Sequence, residues 1–137
     1  MKITLINAEQ IININTIICA KEKQTSICLD HRKVESAVAA AYYPGFYPFQ
    51  YGGIASVAGA LCFFLIKAHA FLDGNKRTAA IAATTLLALN NLIILYPIDK
   101  DNNINSFAKV LEGCACSEIS KEELMQWYDT HKQALKA

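Results

Sequence analysis

Two long apolar segments occupy the middle of the chain, and a short polar segment separates them. Residues 54–66 are almost entirely apolar, residues 79–89 are rich in alanine and leucine, and residues 69–77 between them carry most of the nearby charge. Alanine and leucine favour helix, so each apolar segment is predicted to form a buried helix. Polar residues this dense between two buried helices are rarely needed for packing, and they indicate a functional loop.

The polar segment is predicted to lead into the first turn of the second helix, near Gly74 or Asn75. The first N–H groups of a helix have no partner within it, and the helix dipole is positive at that end. Gly74 allows the backbone to approach a phosphate or to adopt a positive φ, while Lys76 and Arg77 add positive charge. Because cations are unfavourable at a helix N-terminus, their presence there indicates an anion site.

Two further side chains of this segment suit catalysis. Asp73 lies next to the cations, and Mg²⁺ usually binds one or two carboxylates together with phosphate oxygens. His69 lies four residues earlier, and histidine is the usual general base near neutral pH. Each residue alone has a simpler explanation in packing, a turn or a solvated surface. Their joint occurrence favours phosphoryl or nucleotidyl transfer.

The same segment resembles the signature of the Fic/Doc superfamily, His-x-Phe-x-Asp/Glu-Gly-Asn-x-Arg. The matching residues are His69, Phe71, Asp73, Gly74, Asn75 and Arg77. Residues 75–79, Asn-Lys-Arg-Thr-Ala, look most like the death-on-curing branch, the toxins of Doc-type toxin–antitoxin pairs. Residues 34–37 and 86–91 resemble the family more weakly. The resemblance implies an all-α fold, a compact helical bundle with a central motif loop and helix and a short flap, in a single domain over residues 1–137.

The resemblance also implies a role for each motif residue. His69 would deprotonate a target serine or threonine hydroxyl, Asp73 would hold Mg²⁺, and Phe71 would point inward and be structural. The phosphates of ATP would be bound at the start of the following helix, by Gly74, Asn75, Lys76 and Arg77.

Two positions depart from the family members that transfer AMP. These usually carry glycine where this chain has Lys76 and a second arginine where it has Ala80. The resemblance to the Doc-type branch implies that the lysine binds an inverted nucleotide and that the γ-phosphate is transferred to a protein. A translation elongation factor is the implied target, and growth arrest the implied outcome. Two alternatives stay open, namely an AMP or other nucleotidyl transferase and a degenerate binding module.

The inhibitory motif of the family, Ser/Thr-x-x-x-Glu-Gly/Asn, is incomplete in this chain. Glu112 and Gly113 fit its end, but Ala108 stands where serine or threonine is needed. A separate antitoxin protein as the inhibitor would fit this departure.

Composition narrows the class of protein further. The net charge of +1 provides no broad basic field for nucleic acid, whereas the cations of the motif suit one nucleotide. The 5 cysteines have no regular spacing, which argues against a disulfide framework and favours a reducing cytoplasm. The N-terminus does not resemble a signal peptide. Residues 54–66 are shorter than the roughly 20 residues of a membrane-spanning helix, so no membrane association is expected.

The remaining segments predict further helices around the motif. Asn7 and Gln10 form a possible capping box for a helix over Ala8–Lys21, and Asp30 is a good N-cap for a helix through Ala41. The other predicted helices are Ile54–Ala68, Asn75–Leu89, residues 106–114, and a last one from a Ser120–Glu123 capping box through Leu135. Asn90 and Asn91 suggest a helix end, residues 92–96 a strand, and residues 99–105 a polar turn.

Residues 42–53, which begin with Tyr42 and end with Gly53, combine prolines and glycines with many aromatic side chains. This segment is a packed connection or a flap that docks the target protein beside His69 as an added strand.

Overall fold

The computed structural model describes residues 3–43, 49–94, 98–99 and 104–135. Helices dominate these residues, as predicted, and the fold is all-α with short strand pairs added to it. The helices are α1 Ala8–Lys21, α2 His31–Tyr42, α3 Ile54–Ala68, α4 Asn75–Leu89, α5 Ser106–Ala115 and α6 Lys121–His131. The strands are β1 Leu92–Ile94, β2 Ile98–Asp99, β3 Ile104–Asn105 and β4 Lys132–Ala134.

Side-chain caps fix the starts of three helices where the sequence predicts them. Asn7 and Gln10 exchange hydrogen bonds at the start of α1, and Ser120 and Glu123 do the same before α6. Asp30 accepts a hydrogen bond from the backbone N–H of Arg32 at the start of α2, and this bond holds the pKa of Asp30 below its usual value. These caps satisfy N–H groups that the helices themselves leave unpaired.

Helix α3 is the centre of the molecule and packs against α2, α4 and α6. Its core side chains, among them Val57 and Leu61, are fully buried. Gly59 allows α6 to cross closely, because a Cβ at this position would lie 2.8 Å from the backbone Cα of Met125. Most of α3 is therefore buried, and its exposed residue, Lys67, lies in the last turn.

Helix α1 covers one side of α4. The segment before α1 is hydrogen-bonded to the C-terminal end of α4. The side chain of Asn90 accepts a hydrogen bond from the N–H of Thr4 and donates one to the Thr4 carbonyl, at 2.9 and 2.8 Å. Asn90 caps α4 and Asn91 has a φ of 63°, which confirms the predicted helix end.

The prediction that the last helix continues through Leu135 is wrong. Helix α6 ends at His131, and the next residues form β4, which pairs antiparallel with β1. The N–H of Leu135 extends this pairing by donating to the carbonyl of Asn91 at 2.9 Å. Residues 132–134 therefore form a strand although their local sequence suggests helix. The pairing with β1 is long-range, so local sequence does not predict it.

The region between β1 and α5 differs in part from its prediction. The predicted strand at residues 92–96 is present as Leu92–Ile94, and residues 95–97 lie outside the described residues. Within the predicted polar turn at residues 99–105, β2 pairs antiparallel with β3, and residues 100–103 lie outside the described part. Among the described residues, none of the helices has the length and apolar character needed to cross a membrane.

Candidate active site

The motif loop begins where α3 ends, at His69. This residue has φ 48° and ψ 48°, a left-handed conformation that only a small share of non-glycine residues adopt. The turn ends α3 and leaves the imidazole exposed at the helix end. Unfavourable backbone conformations of this kind persist where the surrounding structure fixes them, and they are common at functional sites.

Phe71 and Asn75 hold the loop together from inside. The Phe71 side chain is 3% exposed, so its predicted inward position is confirmed. The side-chain oxygen of Asn75 accepts from the Phe71 N–H at 3.0 Å, and its amide nitrogen donates to the Phe71 carbonyl at 2.8 Å. These bonds engage both ends of the Asn75 amide, so its backbone N–H remains the group that can face an anion.

Helix α4 begins directly after Gly74, as the sequence predicts. Gly74 is its N-cap, with φ 77° and no side-chain cap. A Cβ at this position would lie 3.3 Å from the amide nitrogen of Asn15, so the backbone here is packed closely as well as left-handed. The first turn of α4 thus presents N–H groups that no cap residue occupies.

The predicted site residues line one cavity of about 920 Å³. Its polar part contains His69, Asp73, Gly74, Asn75, Lys76 and Arg77, together with Glu22 and Gln24 from the segment after α1. Its apolar part is lined by residues of α3, α4 and α5, among them Ile66, Ala80, Phe107 and Leu111. The volume is within the range of pockets that bind small-molecule ligands. One ligand could therefore contact the cations and the apolar wall together.

The two motif cations are paired with carboxylates that also line this cavity. Lys76 forms an ion pair with Glu112 of α5, and Arg77 forms one with Glu22 at the end of α1. All four side chains are about half exposed, and exposed ion pairs contribute little free energy. The sequence does not predict either pairing, because each joins residues far apart in the chain.

Asp73 has a half-buried carboxylate at the cavity. Within the described residues its carboxylate has no hydrogen-bond or ion-pair partner, and no group of three potential metal ligands forms. A single free carboxylate fits Mg²⁺ that arrives with a nucleotide, since phosphate oxygens and water supply its other ligands. It does not fit a metal bound by protein ligands alone.

The Fic/DOC family model matches residues 5–87 of the 137-residue chain, which is more than half of it. The chain belongs to the Fic/DOC family. Members of this family are typically transferases that act on proteins, and the family indicates transfer from a nucleotide to protein hydroxyls. A comparison with curated proteins finds no match.

The family match contains the whole motif loop and ends before α5. Glu112, Phe107 and Leu111 therefore come to the Fic/DOC cavity from a part of the chain that the family model does not match. No general sequence signal marks them, apart from the partial fit of Glu112 to the inhibitory motif.

An extended segment after α1 lies against the motif loop of this Fic/DOC chain. The N–H of Leu29 donates to the carbonyl of Ala70 at 2.7 Å, and the N–H of Leu72 donates to the carbonyl of Ile27 at 2.9 Å. Cys28 and Phe71 thus face each other as an antiparallel bridge. We call residues 24–29 the docking segment. Its apolar residues Ile27 and Leu29 are exposed, and no motif in the sequence marks the segment.

The aromatic segment at residues 42–53 occupies a different place. Tyr42 and Phe49 are buried with ring centroids 6.2 Å apart, and the Lys121 ammonium lies 4.6 Å from the Tyr51 ring. This segment leads into the start of α3, while His69 follows its end, and 15 helical residues span about 22 Å. Residues 44–48 lie outside the described residues, and none of the described residues of the segment lines the cavity.

The cysteines do not contribute a reactive group to the cavity wall. Burial raises the pKa of Cys62 to about 12 and that of Cys114 to about 11. Cys19, Cys62 and Cys114 are buried free thiols, and Cys116 is exposed.

Proposed function

We propose that this protein is a toxin-type phosphotransferase that moves the γ-phosphate of a nucleoside triphosphate, ATP by family resemblance, to a serine or threonine hydroxyl of a target protein. The observation that carries the proposal is a single cavity in which a histidine, a carboxylate with no partner among the described residues and a helix N-terminus with two cations meet. These are the groups that positioning and charge stabilisation in phosphoryl transfer require.

The choice of γ-phosphate over nucleotidyl transfer rests on α4. Lys76 and Ala80 lie one turn apart and both line the cavity. Relatives that transfer AMP usually carry an arginine at the position of Ala80, which would extend the positive charge along the helix. Here Ala80 is 8% exposed and adds only an apolar surface. The cationic side chains of α4 that line the cavity are therefore those of its first turn, Lys76 and Arg77, each paired with a carboxylate.

In this reaction His69 accepts the proton of the target hydroxyl. The hydroxyl oxygen forms a bond to the γ-phosphorus as the bond between that phosphorus and the bridging oxygen of the β-phosphate breaks, and ADP leaves with the bond's electrons. Lys76, Arg77 and the N–H groups at the start of α4 orient the phosphates and stabilise their negative charge.

Asp73 is the residue that would hold Mg²⁺. The ion supplies positive charge that offsets the charge of the phosphate oxygens. The apolar wall that includes Leu111 and Ile66 offers room for the nucleoside.

The target protein is proposed to dock on the docking segment and not on the aromatic segment. In the bridge to the motif loop, Ile27 and Leu29 use their hydrogen-bonding groups toward residues 70–72. The N–H and C=O of Cys28 consequently point to the opposite edge, and within the described residues they form no backbone hydrogen bond. An extended target segment could add there as a further strand beside His69. The docking predicted near residues 42–53 stays a prediction, since residues 44–48 of that segment lie outside the described residues.

The biological setting follows from the resemblance to the death-on-curing branch. We propose a translation elongation factor as the target, growth arrest as the result, and a separate antitoxin chain as the inhibitor. Free cysteines are consistent with a cytoplasmic location, and nucleic acid and membranes are not proposed as partners.

The deciding experiment follows label from ATP to the proteins of a bacterial lysate, with γ-labelled and α-labelled ATP in parallel and His69→Ala as the control. Label from the γ position alone, absent with His69→Ala, is the expected result. Label from the α position would assign the chain to the nucleotidyl-transferring group instead. A chain that binds neither Mg²⁺ nor ATP under any condition would be a binding module, and the phosphotransferase proposal would be abandoned.

A further inference from the structure

Asn15 is a buried polar residue of α1 that the proposed chemistry does not use. Its side chain is 0% exposed and lies on the face of α1 that carries Ile11 and Ile18. Apart from tyrosines, the buried polar residues within the described part of the chain are Asn15, Asn75 and Thr78. All of these surround the motif loop, so buried polar groups are concentrated where the site is built.

The Asn15 amide connects separate parts of the site. Its nitrogen donates to the backbone carbonyl of Asp73 at 2.8 Å and to the hydroxyl of Thr78 at 3.1 Å. Its oxygen accepts from the hydroxyl of Ser26 at 3.0 Å and faces the thiol of Cys19 at 3.7 Å. One side chain thus contacts the motif loop, the first turn of α4 and the docking segment.

The partners of Asn15 allow one orientation of its amide. A flipped amide would place its oxygen against the Asp73 carbonyl, which has no proton to donate. The space is equally restricted, since a Cβ on Gly74 would lie 3.3 Å from the Asn15 nitrogen. Asn15 and Gly74 therefore fit each other, and the peptide between Asp73 and Gly74 is held from behind while its other side faces the cavity.

The packing of α1 alone does not explain this residue. A leucine would have a similar shape and would favour helix more strongly, but it would leave the Asp73 carbonyl and the Thr78 hydroxyl without this donor. A buried amide contributes only when its hydrogen bonds are made, and here they are made to the parts that form the site.

We propose that Asn15 is a positioning residue for the transfer reaction. Its nitrogen fixes the Asp73–Gly74 peptide, and with it the Asp73 carboxylate and the first N–H groups of α4. Its oxygen holds Ser26, which begins the part of the docking segment that pairs with the motif loop. Asn15 thereby sets the distance between the bound target and the phosphates. The kinetic part of this inference rests on the proposed function, while the anchoring of the loop does not.

The test compares Asn15→Leu and Asn15→Asp with Asn13→Leu in the full chain. Asn13 is exposed on the same helix and is the matched control. Asn15→Asp keeps the acceptor for Ser26 and removes the donor to Asp73. Amide hydrogen exchange should accelerate about tenfold or more at Phe71 and Thr78, whose N–H groups are hydrogen-bonded to Asn75 and Gly74, in both Asn15 variants. At Leu29, whose N–H is bonded to the Ala70 carbonyl, it should accelerate in Asn15→Leu alone. Equal acceleration across all helices, or none at the loop, would overturn the inference.

Transfer kinetics provide the readout that a structural role would not change. At a temperature where every variant is folded, kcat of Asn15→Leu should fall roughly 100-fold, the cost of a misplacement of about 1 Å, with a much smaller change in the KM for ATP. An unchanged kcat would overturn the positioning role. If Asn15→Leu does not fold, the exposed Ser26→Ala variant should accelerate exchange at Leu29, and unchanged exchange there would contradict the inference.

The two proposals can fail separately. A wild-type chain that transfers no label from ATP, but whose Asn15 variants show the expected exchange pattern, would refute the phosphotransferase and leave Asn15 as the anchor of the loop. An active wild-type chain with unchanged exchange and kcat in the Asn15 variants would refute the role of Asn15 and leave the phosphotransferase proposal in place.

Discussion

The two ends of helix α3 differ in how their side chains are used. At the C-terminal end, His69, Asp73 and the cations after it face a cavity with exposed or half-buried polar groups. At the N-terminal end, the described aromatic residues mostly pack against each other and against α6. Both ends looked functional in the sequence. They differ in burial, because Tyr42 and Phe49 are buried whereas His69, Lys76 and Arg77 are exposed.

The same contrast holds for the glycines that begin the helices at these ends. Gly53 caps α3 with an ordinary φ of −77° and has open space around its Cα. Gly74 caps α4 with a φ of 77° and lies against Asn15. Only the second glycine is required by its surroundings, and it is the one beside the candidate phosphate site.

The largest effect is expected at the C-terminal end, from His69→Ala. Loss of a general base should lower kcat about 10²- to 10⁴-fold, while the melting temperature changes little because the imidazole is exposed. Label transfer from γ-labelled ATP and thermal unfolding measure the two quantities. His31→Ala, at another exposed histidine, should leave both unchanged. Full transfer activity in His69→Ala would mean that the C-terminal end of α3 does not supply the general base.

The glycines sharpen the comparison in terms of stability. Gly74→Ala should lower the free energy of unfolding by roughly 1–2 kcal/mol, because alanine is unfavourable at a positive φ, and should also weaken ATP binding. Gly53→Ala should change stability by no more than about 0.5 kcal/mol. Urea unfolding measures both. Equal losses in the two variants would show that the conformation of Gly74 has no special role.

The parts of the fold and of the candidate site that could be predicted from the sequence are those marked by local signals. The starts of α1, α2 and α6 follow from caps within three residues, and the motif loop follows from adjacent polar residues. The partners of the motif could not be predicted in this way. Glu22, Glu112 and Asn15 contact the site only through the packing of α1 and α5 against α4. Residues 132–134 form β4 instead of the predicted helix because they pair with β1.

Docking of the target protein can be tested with exposed apolar residues near each end of α3. Leu29 in the docking segment is 58% exposed, and Tyr43 in the aromatic segment is 66% exposed. Leu29→Ser should raise the KM for the target protein about tenfold, a cost of roughly 1.4 kcal/mol, because a contact with the target is lost. Tyr43→Ser should leave KM unchanged. The opposite pattern would return the docking site to the aromatic segment.

The smallest effect concerns the carboxylates that pair with the motif cations. Glu22→Gln and Glu112→Gln remove negative charge from the cavity, so each should tighten ATP binding, by no more than about fivefold because exposed ion pairs contribute roughly 0–1 kcal/mol. Calorimetric titration with Mg²⁺ and ATP measures the change, which should shrink as salt screens the charges. Glu9→Gln, exposed on α1, is the control. Weaker binding in either variant would mean that the carboxylates hold Lys76 and Arg77 in place for the phosphates instead of competing with them.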